Sequence, residues 1–249
     1  MISSAKPEPV LRQCPVLILA GGLGTRLRSV LEDEPKVMAP INSVPFLGYL
    51  LKSLAVAGFH EVVLCVRYRS EEIEQWLGDG SQFGLSISYS REKDPLGTGG
   101  ALRLASQRFA AHRRFFAMNG DSLLQLDFQA MLRCHVKTRA VATIALAKVP
   151  DISRYGAVEF DHSRRVKVFQ EKQAQHTPGY INGGIYLFEP SVMDLVPDGR
   201  AVSLEREVLP ALISQELRAF RTSGYFIDIG IPEDFFRAQN ELKGLEFWP

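Results

Sequence analysis

Apolar residues cluster in short runs separated by helical patterns through the first 150 residues, and these runs predict strands at Cys14 to Ala20, Glu61 to Val66, Leu85 to Ser90, Phe115 to Met118 and Ala142 to Ala147. Between them, apolar positions recur at helical spacing near Phe46 to Ala57, Glu71 to Leu77, Gly99 to Phe109 and Phe128 to Lys137. A strand–helix–strand alternation of this kind builds a mostly parallel sheet with helices on both faces, and ligands then bind outside the strands' carboxyl ends. After about residue 150 the pattern turns to hairpin-like pieces, Gly156 to Phe160, Arg165 to Glu171 and Ile181 to Phe188. These are expected as antiparallel strands laid over the edge of the first half, forming a second wall. Helices near Leu204 to Ser214 and Pro232 to Glu241, with a short strand Tyr225 to Ile229 between them, close the chain.

The expected organisation is therefore a short N-terminal tail over residues 1–13 and one domain over 14–249, divided into a first half, 14–150, and a second half, 151–249. At 249 residues and 46% hydrophobic composition the chain can fill a sizeable core. A formal net charge of +1 provides no global basic field for nucleic acid, so anions must be met by local clusters. The apolar runs are strand-sized and the first thirteen residues lack an apolar signal core, which predicts a cytoplasmic protein without membrane attachment. Three cysteines, Cys14, Cys65 and Cys134, show no CxxC spacing and are expected as buried thiols, the first two within strands. The five histidines show no metal spacing, are expected mostly in polar surroundings, and receive no role.

Chemistry concentrates in five stretches. In the first, LAGGLGTRLR (Leu19 to Arg28), the opening strand ends in a glycine-rich turn at Ala20, Gly21, Gly22 and Gly24, followed by Thr25 and Arg26; Lys36 arrives in PKVMAP. Glycines let backbone N–H groups approach oxyanions, and the two cations add what a neutral loop lacks. A Walker A string is absent. The dinucleotide fingerprint fails too, because Leu27 stands where a third glycine is needed and Val66-Arg67-Tyr68 holds no acid at the end of the second strand. The second stretch, PLGTGGAL, places Gly97 and Thr98 at another strand-to-helix junction, where Thr98 could equally be a simple helix cap. Just upstream, Glu92 can accept from the N1–H and N2–H₂ edge of guanine, or serve as a solvated loop charge.

Third is AMNGDSL, which puts Asn119 and Asp121 at the tip of a strand; a carboxylate there is a hard oxygen ligand suited to Mg²⁺ bound with phosphates. Fourth is GYFIDIGIPEDF, where Asp228 sits between isoleucines and needs a cation or several donors. Asp121 and Asp228 together would form a two-carboxylate metal site. The fifth set is Gly156, Glu171, Lys172 and Asn182 on the hairpin half, which combines backbone access, an acid, a cation and an amide suited to a phosphorylated sugar. No GxSxG or related nucleophile motif occurs.

Taken in order, LAGGLGTRLR, PKVMAP, PLGTGGA, NGDS, EKQ, INGGIYLF and FIDIGIPEDF resemble the sugar-1-phosphate nucleotidyltransferase family over roughly residues 14 to 241. Within it, SREKDPLGTGGALRLA, SRYGAVE and SLEREVLP resemble most closely the D-glycero-α-D-manno-heptose 1-phosphate guanylyltransferases, with mannose-1-phosphate guanylyltransferases next. The departures are Val37 for proline in PKP, Gln173 for the proline of EKP, and Ile231 after the IG pair; none removes a charged ligand.

The resemblance implies an α/β, Rossmann-like three-layer fold of the GT-A kind, with an antiparallel sugar-binding extension. It implies an enzyme that moves a nucleotidyl group from an NTP, GTP favoured, to a sugar 1-phosphate, with heptose favoured, mannose 1-phosphate or a UTP-using hexose-1-phosphate reaction as alternatives, and pyrophosphate as co-product. It further implies Mg²⁺ on Asp121 and Asp228, Gly21 and Gly22 at base and ribose, Thr25 and Arg26 at the β,γ-phosphates, Lys36 at the α-phosphate, and Lys172 at the sugar phosphate. A homo-oligomer is compatible with it. A non-catalytic nucleotide-sugar sensor is the alternative of another class, opposed by the retention of Arg26, Lys36, Asp121, Lys172 and Asp228.

Overall fold

The computed structural model describes residues 10–22, 27, 30, 34–110, 113–170 and 176–243. Its strands and helices are, in chain order, β1 (Val16–Leu19), β2 (Pro40–Ile41), β3 (Val44–Pro45), α1 (Phe46–Ala57), β4 (Glu61–Val66), α2 (Ser70–Leu77), β5 (Ser86–Arg91), α3 (Gly97–Ser106), β6 (Phe115–Asn119), β7 (Ser122–Leu124), α4 (Phe128–Thr138), β8 (Ala142–Val149), β9 (Val158–Phe160), β10 (Val166–Phe169), β11 (Gly179–Phe188), α5 (Leu209–Leu212), β12 (Leu217–Thr222), β13 (Phe226–Asp228) and α6 (Pro232–Glu241).

Seven strands form the main sheet in the order β12-β8-β11-β6-β1-β4-β5. Every neighbouring pair is parallel except those of β11, which runs antiparallel to both β6 and β8. Successive side chains on a strand point to opposite faces, and the two faces bury separate cores. Val16 and Ile18 of β1 pack with α1, α2, α4 and α6 through residues such as Phe46, Ile73, Phe128 and Phe235. Leu17 packs on the other face with Leu102 of α3 and with Val192, Leu204 and Leu212. This is the expected three-layer α/β arrangement.

The helices begin and end where local chemistry directs. Asp127 caps α4 by accepting from the Ala130 N–H at 2.8 Å, and Gly58 ends α1 at φ +94°.

Several expectations are corrected. Of the three hairpin-like pieces, β9 and β10 pair antiparallel in a small sheet of their own, joined by an Arg165–Arg218 bridge to edge strand β12, whereas β11 is inserted into the middle of the main sheet. Every residue from Gly183 to Phe188 is buried, the uninterrupted pattern of a central strand covered on both faces. Strand β12 was not expected, because LRAFRT carries two arginines and occupies the sheet's outer edge. The helical stretch expected over Leu204 to Ser214 is a π turn over Leu204–Val208 running into α5 and a 3-10 turn. Cys14 precedes β1 rather than lying in it, Cys65 lies in β4, and all three thiols are free; Cys14 and Cys65 are buried, whereas Cys134 on α4 is only half-buried.

His135 meets its polar partners inside the protein. It is fully buried, its Nδ1 2.8 Å from Thr143 Oγ1 and its Nε2 3.2 Å from Glu189 Oε1. That imidazole holds the Glu189 carboxyl below its ordinary value.

Candidate active site

The carboxyl ends of β1, β4, β5 and β6 open into a cavity of about 330 Å³. Leu19, Gly21, Gly22, Lys36, Glu92, Gly97, Thr98, Asn119 and Asp121 all line it, as do Arg67 and Cys65. Nine of the residues expected from sequence therefore share one space. Ala20 lies beneath it, buried, with its N–H on Cys65 O at 2.9 Å. Gly24, Thr25, Arg26, Glu171 and Lys172 lie outside the described residues.

At one end, Lys36 follows Pro35 in a 3-10 turn and reaches two acids. Its Nζ is 2.5 Å from Asp121 Oδ2 and 3.7 Å from Asp228 Oδ1. The two carboxylates meet because β7 and β13 form a small antiparallel ladder in which Asp228 stands opposite Ser122, and Ile229 donates its N–H to Asp121 O at 3.0 Å. Gly230 donates to Asp228 Oδ1 at 2.7 Å. Burial, followed by the Asp121 charge, pushes the Asp228 carboxyl above its ordinary range, while Lys36 opposes this. Space here is tight. A Cβ at Gly120 would lie 2.6 Å from Leu19 O and 2.8 Å from Val37, and one at Gly230 would lie 2.8 Å from Asp228 Oδ1.

Two hard-oxygen carboxylates sharing one ammonium leave a deficit of positive charge that a divalent cation would fill, so the donor set fits Mg²⁺. Among the described residues no group of three or more His, Cys, Asp or Glu side chains is placed to hold a metal. Such an ion would thus need further oxygens from its substrates or from water.

At the other end, Glu92 extends β5, its N–H on Val66 O at 3.1 Å and its Oε2 accepting the Leu96 N–H at 2.9 Å. The carboxylate is thus half-committed to shaping its own loop. Burial raises its pKa, opposed by the Leu96 N–H and by Arg67.

Thr98 does not cap its own helix, whose cap position is Leu96. Its hydroxyl instead accepts from the Leu204 N–H and donates to Glu205 Oε2, both at 2.8 Å. The same segment takes the Gly99 N–H on Val202 O and gives the Val202 N–H to Leu96 O, each at 2.8 Å. Gly97 is required there: at φ +68° a side chain is strained, and its Cβ would meet Val202 O at 2.5 Å. Glu205 and Arg67 were not singled out from sequence. Arg67 bore the one available signal, its position just past a parallel strand's carboxyl end; Glu205 bore none, lying far along the chain from Thr98.

The residues expected from sequence on the acceptor side are more dispersed. Asn182 of β11 donates from Nδ2 to the fully buried Tyr186 hydroxyl at 2.7 Å and accepts the Gly184 N–H on Oδ1 at 2.9 Å, across the register shift that Gly183-Gly184 produces. Gly184, at φ +73°, abuts Asn119, whose Nδ2 would be 2.9 Å from a Cβ there. Gly156, at φ +78°, closes a turn onto Ile152 O at 3.1 Å and does not line the cavity.

The nucleotidyl transferase family model matches residues 15–244. A D-glycero-alpha-D-manno-heptose 1-phosphate guanylyltransferase from Aneurinibacillus thermoaerophilus is 39% identical over 91% of this chain and 97% of its own length. A mannose-1-phosphate guanylyltransferase from Mycobacterium tuberculosis is also 39% identical, over 92% of this chain, which spans 65% of that longer protein. The crystal structure of HddC from Yersinia pseudotuberculosis complexed with GMP-PN superposes with a TM-score of 0.82 at 33% identity, covering 92% of this chain and all of that one. With the match running through nearly every element that builds the cavity, this chain belongs to the nucleotidyl transferase family.

Proposed function

We propose that this protein transfers a guanylyl group from GTP to D-glycero-α-D-manno-heptose 1-phosphate, releasing pyrophosphate. The observation that carries the reading is Lys36 bracketed by Asp121 and Asp228 at one end of a cavity whose other end presents Glu92. The relative that this chain matches over 97% of its length is a heptose enzyme, and the neighbouring structure with GMP-PN holds a guanine nucleotide. The mannose relative, equally identical, supports mannose 1-phosphate as the second acceptor reading.

A sugar-phosphate oxygen attacks the α-phosphorus in line, a new P–O bond forms, and the bond to the pyrophosphate oxygen breaks. No protein nucleophile takes part. Lys36 meets the α-phosphate, Gly21 and Gly22 let the base and ribose approach, and Arg26 with Thr25 meet the β,γ-phosphates. Lys172 neutralises the sugar phosphate, with Glu171, Asn182 and the Gly156 backbone toward the sugar. Asp121 and Asp228 would hold Mg²⁺, which when bound neutralises phosphate charge and polarises the α-phosphate. Alignment of two anions and cations placed where charge develops supply the rate enhancement. Three free thiols fit a reducing compartment, and we place the reaction in the cytoplasm. Among the described residues no helix is long and apolar enough to cross a membrane.

A matrix of NTPs against heptose, mannose and glucose 1-phosphates, scored by pyrophosphate release with Mg²⁺, tests this. The expected outcome is highest kcat/KM for GTP with the heptose. Preference for UTP overturns the guanylyl assignment, preference for mannose moves the acceptor, and no release with any pair turns the reading to a sensor.

A further inference from the structure

Arginines at the sheet's carboxyl edge are mostly matched to acids. Arg91, at the end of β5, donates its Nε to Glu74 at 2.7 Å and pairs with it again through Nη2, and Arg69 pairs with Glu72. Arg67 is different. It directly follows β4, lines the cavity and is half-buried, yet among the described residues it makes no hydrogen bond and no salt bridge. Its neighbour across the floor is Glu92: a Cβ on Gly21 would lie 3.4 Å from Arg67 Cβ, from Arg67 N and from Glu92 Oε1. The root of the Arg67 side chain and a half-committed carboxylate thus flank one glycine, and a flat ligand resting on that glycine lies within reach of both side chains.

Guanine presents, in order from N2 to N7, two donors (N2–H₂, N1–H) and two acceptors (O6, N7). A carboxylate beside a guanidinium offers the complementary series, acceptors then donors, and Arg forms its bidentate fork on O6 and N7. Uracil offers N3–H between two carbonyl oxygens, one of which would face the carboxylate. Adenine turns its N6 amino donor toward the guanidinium. Resting on the guanylyl reading above, and deepening it, we propose that Arg67 is a specificity-determining residue that reads guanine O6 and N7 while Glu92 reads N1–H and N2–H₂.

The test compares GTP, 7-deaza-GTP (no N7 acceptor), ITP (no N2 amino group) and UTP as donors, in the wild type and in Arg67→Met, with melting curves for both. In the wild type, 7-deaza-GTP is expected to lose about tenfold or more in kcat/KM relative to GTP, the discrimination a good bidentate contact provides. In Arg67→Met the GTP value falls to that of 7-deaza-GTP, so their ratio approaches one, while the penalty for ITP persists because Glu92 is intact. Loss carried by KM, with kcat little changed, separates base reading from a general disturbance of the site. The inference is overturned if the wild type uses 7-deaza-GTP as well as GTP, or if Arg67→Met keeps the wild-type ratio. The wild-type ratio stands even if the variant does not fold. Preference of the wild type for UTP would overturn the guanylyl reading and this inference together; preference for GTP without a 7-deaza penalty would remove Arg67 alone.

Discussion

The two ends of the cavity handle charge in opposite ways. At the Lys36 end the protein supplies its own partners: one ammonium is shared by Asp121 and Asp228, and Gly120 and Gly230 leave no room for a side chain. At the Arg67 end the guanidinium makes no hydrogen bond or salt bridge among the described residues, its charge only opposing the raised pKa of Glu92, and Glu92 spends one oxygen on its own loop. On the proposed reading, the groups that would meet developing charge are fixed before substrate arrives, since reorganising them during reaction would add to the barrier. The groups proposed to select a base are left to be matched by it.

The largest effect expected from breaking this contrast lies at the charged end. Lys36→Ala or Asp121→Ala should lower turnover about 10²-fold or more, the usual cost of losing one preorganised electrostatic group. Pyrophosphate release with Mg²⁺ measures the loss, and a melting curve verifies that the fold survives. Wild-type-like rates in either variant would remove this end from the chemistry.

Packing separates the two ends next. Gly120→Ala would drive a methyl group into Leu19 O and Val37, one of them backbone, and should cost about 1–3 kcal/mol in urea denaturation. Gly22→Ala, where a Cβ meets nothing within 4 Å, should stay within about 0.5 kcal/mol of wild type. Equal losses at the two glycines would deny that the ends differ in rigidity.

How much of this was legible in sequence follows from the range of the interactions involved. Helices Phe46–Ala57 and Pro232–Glu241 and strand Glu61–Val66 fall where the periodicity placed them, because a local stripe decides burial. The position of β11 depends on what covers its two faces, which hairpin-like local texture does not report. In the site, glycine turns and strand-tip acids were visible as types, and the structure brings Lys36, Asp121 and Asp228 together through the β7–β13 ladder. The orientation of Thr98 was not visible, since Leu204 and Glu205 set it. Arg67 entered the sequence reading only as the lack of an acid, since pairing is a property of neighbours and not of a residue.

The smallest effect expected is a pH-dependent one on stability at Glu92. Burial raises its carboxyl pKa in the folded state, so folding favours the protonated form. Its favourable contribution is complete below the ordinary value of 4.5 and is lost as pH rises through the raised folded value. At pH 7.5 the ionised group is therefore a burden on the nucleotide-free fold. Glu92→Gln removes the charge and retains a carbonyl oxygen for the Leu96 N–H, so without nucleotide it should melt above wild type at pH 7.5, with the gap closing as pH falls toward 4.5. Saturating GTP should reverse the order, because guanine N1–H and N2–H₂ then supply the donors that the carboxylate lacks. A gap that ignores pH would mean that packing, not buried charge, sets it. A gap that ignores GTP would mean that this end is not completed by the base, and the contrast with Lys36 would fail.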